Sequence, residues 1–287
     1  MLQGGLSRIK ESLASINPSE RHAAQYIIEN PESMVRMTVS ELADASGSSQ
    51  SAIIRLCKNL GLKGYQDLKL RVAGDLQPTQ SSGEYQEISP TSNIATIISS
   101  VFNNHIYSIN ETMKMLDAER VEQAVRLIES ANRLDFYGSG ASQLVAQDAQ
   151  HKFMRINKPC TAYSDTHLQL TSAVTLSDQD VAIAFSNSGE TVQVIECIKA
   201  AREQGAKTIG ITRYGSNSLS KLADVHIETL STESDIRSAA TSSRIVQLNI
   251  VDILYIAVAG HNYNSSLDYL ERSRNALSES YHMKKGV

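Results

Sequence analysis

The chain has 287 residues, an ordinary apolar content of 41%, no tryptophan and a net charge of −4. That length suits one large domain or two smaller ones with a sizeable core. Three scattered cysteines, Cys57, Cys160 and Cys197, with no CxxC pair, argue against a disulfide framework or zinc site and for a reducing compartment. The N-terminal LQGGLSRIKES has no apolar h-region, and the longest apolar run, near Ile253–Ala259, is far short of a membrane span. A soluble, cytoplasmic protein without membrane contact is expected.

The charge is unevenly spread. Residues 1–77 carry nine Lys/Arg against eight Asp/Glu, and the rest carries eighteen against twenty-three. Within Ser51–Val72, Arg55, Lys58, Lys63, Lys69 and Arg71 face only Asp67, a local basic stripe of the kind phosphate contact requires. This first third is helical. Asn17-Pro18-Ser19-Glu20 reads as a helix start, with Asn17 as N-cap, Pro18 at N1 and Glu20 at N3. Asn30-Pro31 ends that helix. Thr38-Val39-Ser40-Glu41 is a capping box. A short helix follows to Ala45-Ser46-Gly47, then another from Ser48 or Ser49 to Leu60 with Gly61 as its stop, and a last one from Gly64-Tyr65 to about Asp75.

Thr38–Tyr65 thus has the outline of a helix-turn-helix: a two-turn helix, a glycine turn and a second helix. Ile53, Ile54, Leu56, Cys57 and Leu60 are assigned to its inward face. A recognition helix reads base edges mainly through its N-terminal residues, so Ser49, Gln50 and Ser51 are the base-reading candidates, with Arg55, Lys58 and Lys63 for phosphates. The alternative is a helical hairpin with a solvated charged face. Cys57 is expected to be a small core residue.

QPTQSSGEYQEISPTSN, residues 77–93, has two prolines and few apolar residues, and reads as a linker. The expected domains are therefore 1–77, a linker over 78–92, and 93–287 with a core about 124–262. Two helices, about 93–115 and 117–130, open the second domain. Short apolar runs then alternate with amphipathic segments: RLDFY, helix 141–155, CTAY, helix 166–174, VAIAF, helix 190–203, KTIGIT, helix 217–223, VHIETL and a long helix about 238–259. A polar helix, about 263–280, comes last. This alternation predicts an α/β domain with a parallel sheet flanked by helices.

Two strand-to-helix turns carry hydroxyls. Tyr137-Gly138-Ser139-Gly140-Ala141-Ser142 leads into one helix, whose N-terminus with Ser142 suits an anion. VAIAF runs into Ser186-Asn187-Ser188-Gly189-Glu190-Thr191. No GK[ST] follows either turn, which excludes a P-loop. A dinucleotide fingerprint fits Gly138 and Gly140, with Asp165 at the ribose distance, but has Gln143 at the third glycine position. Hydroxyls without lysine suit a phosphate that is held rather than transferred. A purely structural reading makes these serines helix caps.

SNSGET at 186–191, with GSGAS at 138–142, resembles the phosphosugar-binding pattern of the sugar isomerase (SIS) domain. Helix-turn-helix, linker and SIS domain in this order resemble the RpiR family of bacterial transcriptional regulators. RLCKNLGLKGYQDLK, Asp165-Thr166-His167 and IRSAATSSRIVQL resemble its MurR-type branch, whose implied effector is N-acetylmuramic acid 6-phosphate. The resemblance places the phosphate at Ser142, Ser186, Ser188 and Thr191, with Asn187 and Gly140 beside it, and makes His167, Glu233 and Arg237 candidates for the sugar end. It implies a repressor of amino-sugar or cell-wall sugar catabolism genes, a homodimer or tetramer on a palindromic operator, with no cofactor, no metal and no catalytic residue. The alternatives are a SIS-type isomerase or etherase, with Glu190, Glu233 or His167 as base, and a nicotinamide-dependent redox sensor. Apolar stripes on helices 93–115 and 238–259 are candidate subunit contacts.

Overall fold

The computed structural model describes residues 4–13, 16–76, 93–231 and 240–283, with side chains to 278. The expected linker lies outside them. The chain forms two compact units, Met1–Met115 and Leu116–Val287.

The first unit contains α1 (Gly5–Ser12), α2 (Pro18–Glu29), α3 (Pro31–Met34), α4 (Val39–Ser46), α5 (Gln50–Asn59), α6 (Tyr65–Asp75) and α7 (Ile94–Met115). The Thr38 capping box forms: Glu41 N–H donates to Thr38 Oγ1, and Thr38 N–H to Glu41 Oε2 at 2.7 Å. Gly47 and Gly61 end α4 and α5 at φ +63° and +67°. At Gly61 the Leu62 N–H returns to the Cys57 carbonyl, which satisfies a helix-end acceptor. The core of this unit joins Ile9, Ile27, Leu42, Ile53, Leu56, Cys57, Leu68 and Val72. Burial pushes the Cys57 thiol up to about 11, so it packs as an inert apolar group.

α1 was not expected. Its N-cap is Gly4, which has no side chain. Asp75, at the end of α6, caps instead, accepting from Gly4 N–H at 2.6 Å and Leu6 N–H at 2.8 Å. The buried Arg8 of α1 then donates to the carbonyls of Leu60 and Met115, at the C-terminal ends of α5 and α7, where a cation is favoured. The helix over 94–115, read in sequence as opening the second domain, thereby belongs to the first compact unit.

The second unit opens with α8 (Ala118–Ser130). It continues as β1 (Leu134–Tyr137), α9 (Ala141–Met154), β2 (Cys160–Thr161), α10 (Thr166–Ala173), β3 (Val181–Phe185), α11 (Val192–Glu203), β4 (Lys207–Arg213), α12 (Ser218–Leu222), β5 (Val225–Thr229), α13 (Thr241–His261) and α14 (Tyr263–Met283). All pairings are parallel, in the order β2-β1-β3-β4-β5. Alternate residues of β3 feed two cores: Val181, Ile183 and Phe185 meet α8, α9 and α13, while Ala182 and Ala184 meet α10 and α11. α13 is long and apolar enough to cross a membrane by length and composition, yet Val246, Ile250, Val251, Leu254 and Val258 pack it into the first of these cores. Inside β1, the fully buried Asp135 accepts from Arg133, Tyr137, Thr161 and Ser172, tying β2 and α10 to β1.

His226 on β5 is mostly buried. Its Nε2 lies 2.8 Å from Thr212 Oγ1. Thr212 donates its own proton to the Arg213 carbonyl, so the imidazole donates from Nε2. Burial first, and Arg120 second, lower the His226 pKa to about 4. The unfolded chain takes up the proton near 6.5, and the folded one resists it. Stability is therefore full above about 6.5 and lost as pH falls toward about 4, by on the order of 3 kcal/mol. Thermal unfolding of the second unit should show this slope, and His226→Gln should flatten it.

Candidate DNA-reading face and anion site

α5 buries Ala52, Ile53, Leu56 and Cys57 against α2 and α4. Its outer face presents Gln50, Ser51, Ile54, Arg55 and Lys58, all exposed. Ile54, assigned by sequence to the inward face, is 38% exposed. The 50-54-58 and 51-55 rows form one stripe, and Ile54 sits in its middle. Ser49 is the N-cap: its Oγ accepts from Ala52 N–H at 3.1 Å, so the hydroxyl shapes the helix start as well as facing out. Gln50 reaches Ser40 on α4, and Lys63 is exposed.

Arg55 is held by a residue that sequence had placed elsewhere. Glu20 was read as part of the α2 start, but its fully buried carboxylate accepts from Asn59 at 2.7 Å and pairs with Arg55 at 3.6 Å. Glu20 therefore sets the pose of α5. The rest of the basic stripe is partly consumed: Lys69 donates to the Met37 carbonyl and Arg71 pairs with Asp67.

In the second unit the two hydroxyl turns are neighbours. Tyr137 lies opposite Ala184, so the turns leave adjacent strand ends. From there the chain crosses to β2 on one side and to β4 on the other. This reversal opens a crevice at the carboxyl ends of β1 and β3. Gly138 allows the close helix approach, because a Cβ there would lie 2.5 Å from the Ser142 carbonyl. Gly140 is the N-cap of α9 at φ +57°, with no side-chain cap. Thr191 is the N-cap of α11 and also makes no side-chain cap bond. Its Oγ1 instead meets Ser186 Oγ at 2.9 Å. Ser186 Oγ accepts from Gly189 N–H, and Ser188 Oγ from Glu190 N–H. Neither serine caps α11. Two helix N-termini thus reach one crevice without side-chain caps, which is an anion-binding arrangement.

The other candidates divide. Ser142 Oγ bonds Gln247 on α13. Asn187 turns its Oδ1 to Ser231 and its carbonyl to Arg213 N–H. His167 is exposed in the first turn of α10, behind the N-cap Asp165, which accepts from Leu168 N–H. Gln143 is buried and bonded to Gln169 and the Ala162 carbonyl. Asp165 and Gln143 therefore have structural partners where a dinucleotide site would need an acid and a glycine. Glu190 accepts from Ser218 N–H at 2.8 Å, and Ser218 holds its pKa below the usual carboxylate value. Glu233 and Arg237 lie outside the described residues.

Asn217, unnoticed in sequence, supports the SNSGET turn. It caps α12 through Ser220 N–H and donates to Thr212 Oγ1 and the Gly215 carbonyl. An N-x-x-S capping pattern at 217–220 was the available signal. Its side chain fills the space beside Gly189, where a Cβ would lie 2.1 Å away, and Gly189 has φ +67°. Because Asn217 is pinned at three points, Gly189→Ala should destabilise the second unit by roughly 2–4 kcal/mol, read by thermal unfolding.

The fold and its two faces define a transcriptional regulator with a DNA-binding helical unit and a ligand-type α/β unit. The profile of the helix-turn-helix domain of the rpiR family matches residues 3–79, and that of the SIS domain residues 127–257. An HTH-type transcriptional regulator of Caldanaerobacter subterraneus subsp. tengcongensis is 44% identical over 275 residues, 95% of this chain and 96% of that protein. The HTH-type regulator YbbH of Bacillus subtilis is 42% identical, over 96% of this chain and 98% of its own. The structure of Vibrio vulnificus NanR complexed with ManNAc-6P superposes with a TM-score of 0.60 and 25% identity, covering 96% of this chain and 98% of that one. The chain belongs to the RpiR family of helix-turn-helix transcriptional regulators carrying a SIS domain.

Proposed function

We propose that the protein is a repressor whose SIS domain senses an amino-sugar 6-phosphate and whose α5 reads a palindromic operator in the cytoplasm. The observation that carries this reading is the convergence of two helix N-termini without side-chain caps, with Ser142, Ser186, Ser188 and Thr191, on one crevice. The phosphate sits there, accepting from backbone N–H groups and hydroxyls, and His167 stands on the same carboxyl edge toward the sugar. The MurR-like segments favour N-acetylmuramic acid 6-phosphate; the similarity to NanR adds N-acetylmannosamine 6-phosphate.

A switch is favoured over an isomerase or etherase by Glu190. A general base works best with a pKa near the operating pH, whereas Glu190 is held ionised against Ser218 N–H. Palindromic recognition needs two copies, and α7 offers a surface for them: Ile94, Ile98, Phe102 and Ile106 recur every four residues and are exposed. The sugar phosphate acts by binding one arrangement of the protein better than another.

Operator DNA selected from random duplexes tests this. Affinity should fall steeply with salt and change about fivefold or more with the cognate phosphosugar. A flat titration across hexosamine 6-phosphates would overturn the effector. Ser186→Ala with Ser188→Ala should remove the sugar response and leave DNA binding intact. Ile54, apolar and exposed among polar readers, meets a thymine methyl. Ile54→Asn should cost about 1–3 kcal/mol of discrimination at one thymine, while Lys58→Ala should weaken all sequences alike.

A further inference from the structure

Gln247 lies on α13, and its side chain enters the anion site beside Ser142. The residue is 1% exposed. Ser142 Oγ donates to Gln247 Oε1 at 3.2 Å, while Gln247 Nε2 is buried with no hydrogen-bond partner. A buried N–H group without an acceptor is costly and rare in folded proteins. The arrangement has a second tension. Ser142 has one hydroxyl proton, and in this state it is spent on Gln247, so Ser142 cannot donate it to an anion.

A half-turn of the carboxamide frees the Ser142 proton and exchanges the unpaired buried N–H for an unpaired buried carbonyl, the less rare of the two. Nε2 then donates to Ser142 Oγ, and the Ser142 proton is released toward the crevice. We propose that Gln247 is a positioning residue of the anion site: phosphate binding turns its amide over, so that Gln247 donates to Ser142 and Ser142 donates to the phosphate. This rests on the phosphate reading of the crevice given above. The bound state gains a partner for the amide N–H, and the exposed end of the relay becomes a donor. The hydrogen bond between α9 and α13 reverses direction in the same event, so α13 registers whether the crevice is occupied. The relay needs a side chain at position 247 that can both accept and donate. Leucine neither donates nor accepts, and an ionised glutamate can only accept, which keeps the Ser142 proton away from the phosphate and adds a like charge.

The full chain, 15N-labelled, is titrated with N-acetylmannosamine 6-phosphate, N-acetylmuramic acid 6-phosphate and inorganic phosphate. The Gln247 side-chain amide signal is assigned by its loss in Gln247→Leu. It should move on saturation with a binding sugar phosphate, and Ser142→Ala should abolish the movement. By calorimetry, Gln247→Glu should bind at least tenfold more weakly than the wild type at neutral pH. That ratio should shrink at pH 5, where a protonated glutamate regains a donor; a merely structural role would not produce this recovery. Wild-type binding with an unmoved Gln247 signal, or a Gln247→Glu affinity equal to the wild type, would overturn the relay and leave the phosphate site standing. No binding of any of the three probes by the wild type would overturn the site, and the relay with it.

Discussion

One topological constraint organises the second unit: the chain winds away from the sheet centre in opposite directions after β1 and after β3. Right-handed crossovers then send α9 and α11 to opposite faces, and their first turns part at the same edge. The gap between them cannot be filled by either helix. The two turns beside it are built largely of glycine and short hydroxyl residues. Gly138, Gly140 and Gly189 serve this geometry in different ways: close approach, a left-handed cap, and room for Asn217. The hydroxyls of Ser186, Ser188 and Thr191 bond one another or their own loop, Ser142 bonds Gln247, and the helix ends stay without side-chain caps.

The first unit depends on side chains that act far along the chain. Asp75 starts α1, Arg8 closes α5 and α7, and Glu20 holds Arg55 and Asn59. Each of these charged groups is spent on backbone ends or on the pose of α5. The DNA-reading face is thus positioned by residues that take no part in it. Its exposed members are short or apolar near the helix start and cationic further on, as expected for a surface that reads bases first and grips phosphates behind them.

Much of this was legible in sequence, and the reason is local. VAIAF is both a buried strand and an uninterrupted apolar run; Thr38–Glu41 is a complete capping box within four residues; glycine marks both helix stops. The two serine-bearing turns were visible because turn, strand and helix were contiguous. What was hidden was non-local. α1 could not be foreseen from a glycine N-cap whose capping carboxylate is some seventy residues away. Glu20 is the N3 residue the sequence indicates and meets Asn17 there, but its further partners, Arg55 and Asn59, lie on another helix. Ile54 was misassigned because an apolar residue between Ile53 and Leu56 reads as core until the helix phase is known. Gln247 had a weak signal: with Ser243 it interrupts the buried face of α13 at a spacing of four.

The absence of lysine and arginine from both turns has a consequence for how the two halves answer their surroundings. Binding through neutral donors displaces few counterions, whereas binding through Arg55, Lys58 and Lys63 to a nucleic-acid backbone displaces many. With the phosphosugar and operator sites proposed above, intrinsic sugar affinity changes little with ionic strength, while DNA affinity falls. Because the two sites are coupled, osmotic stress would reach the sugar response only through the share of the protein held on DNA.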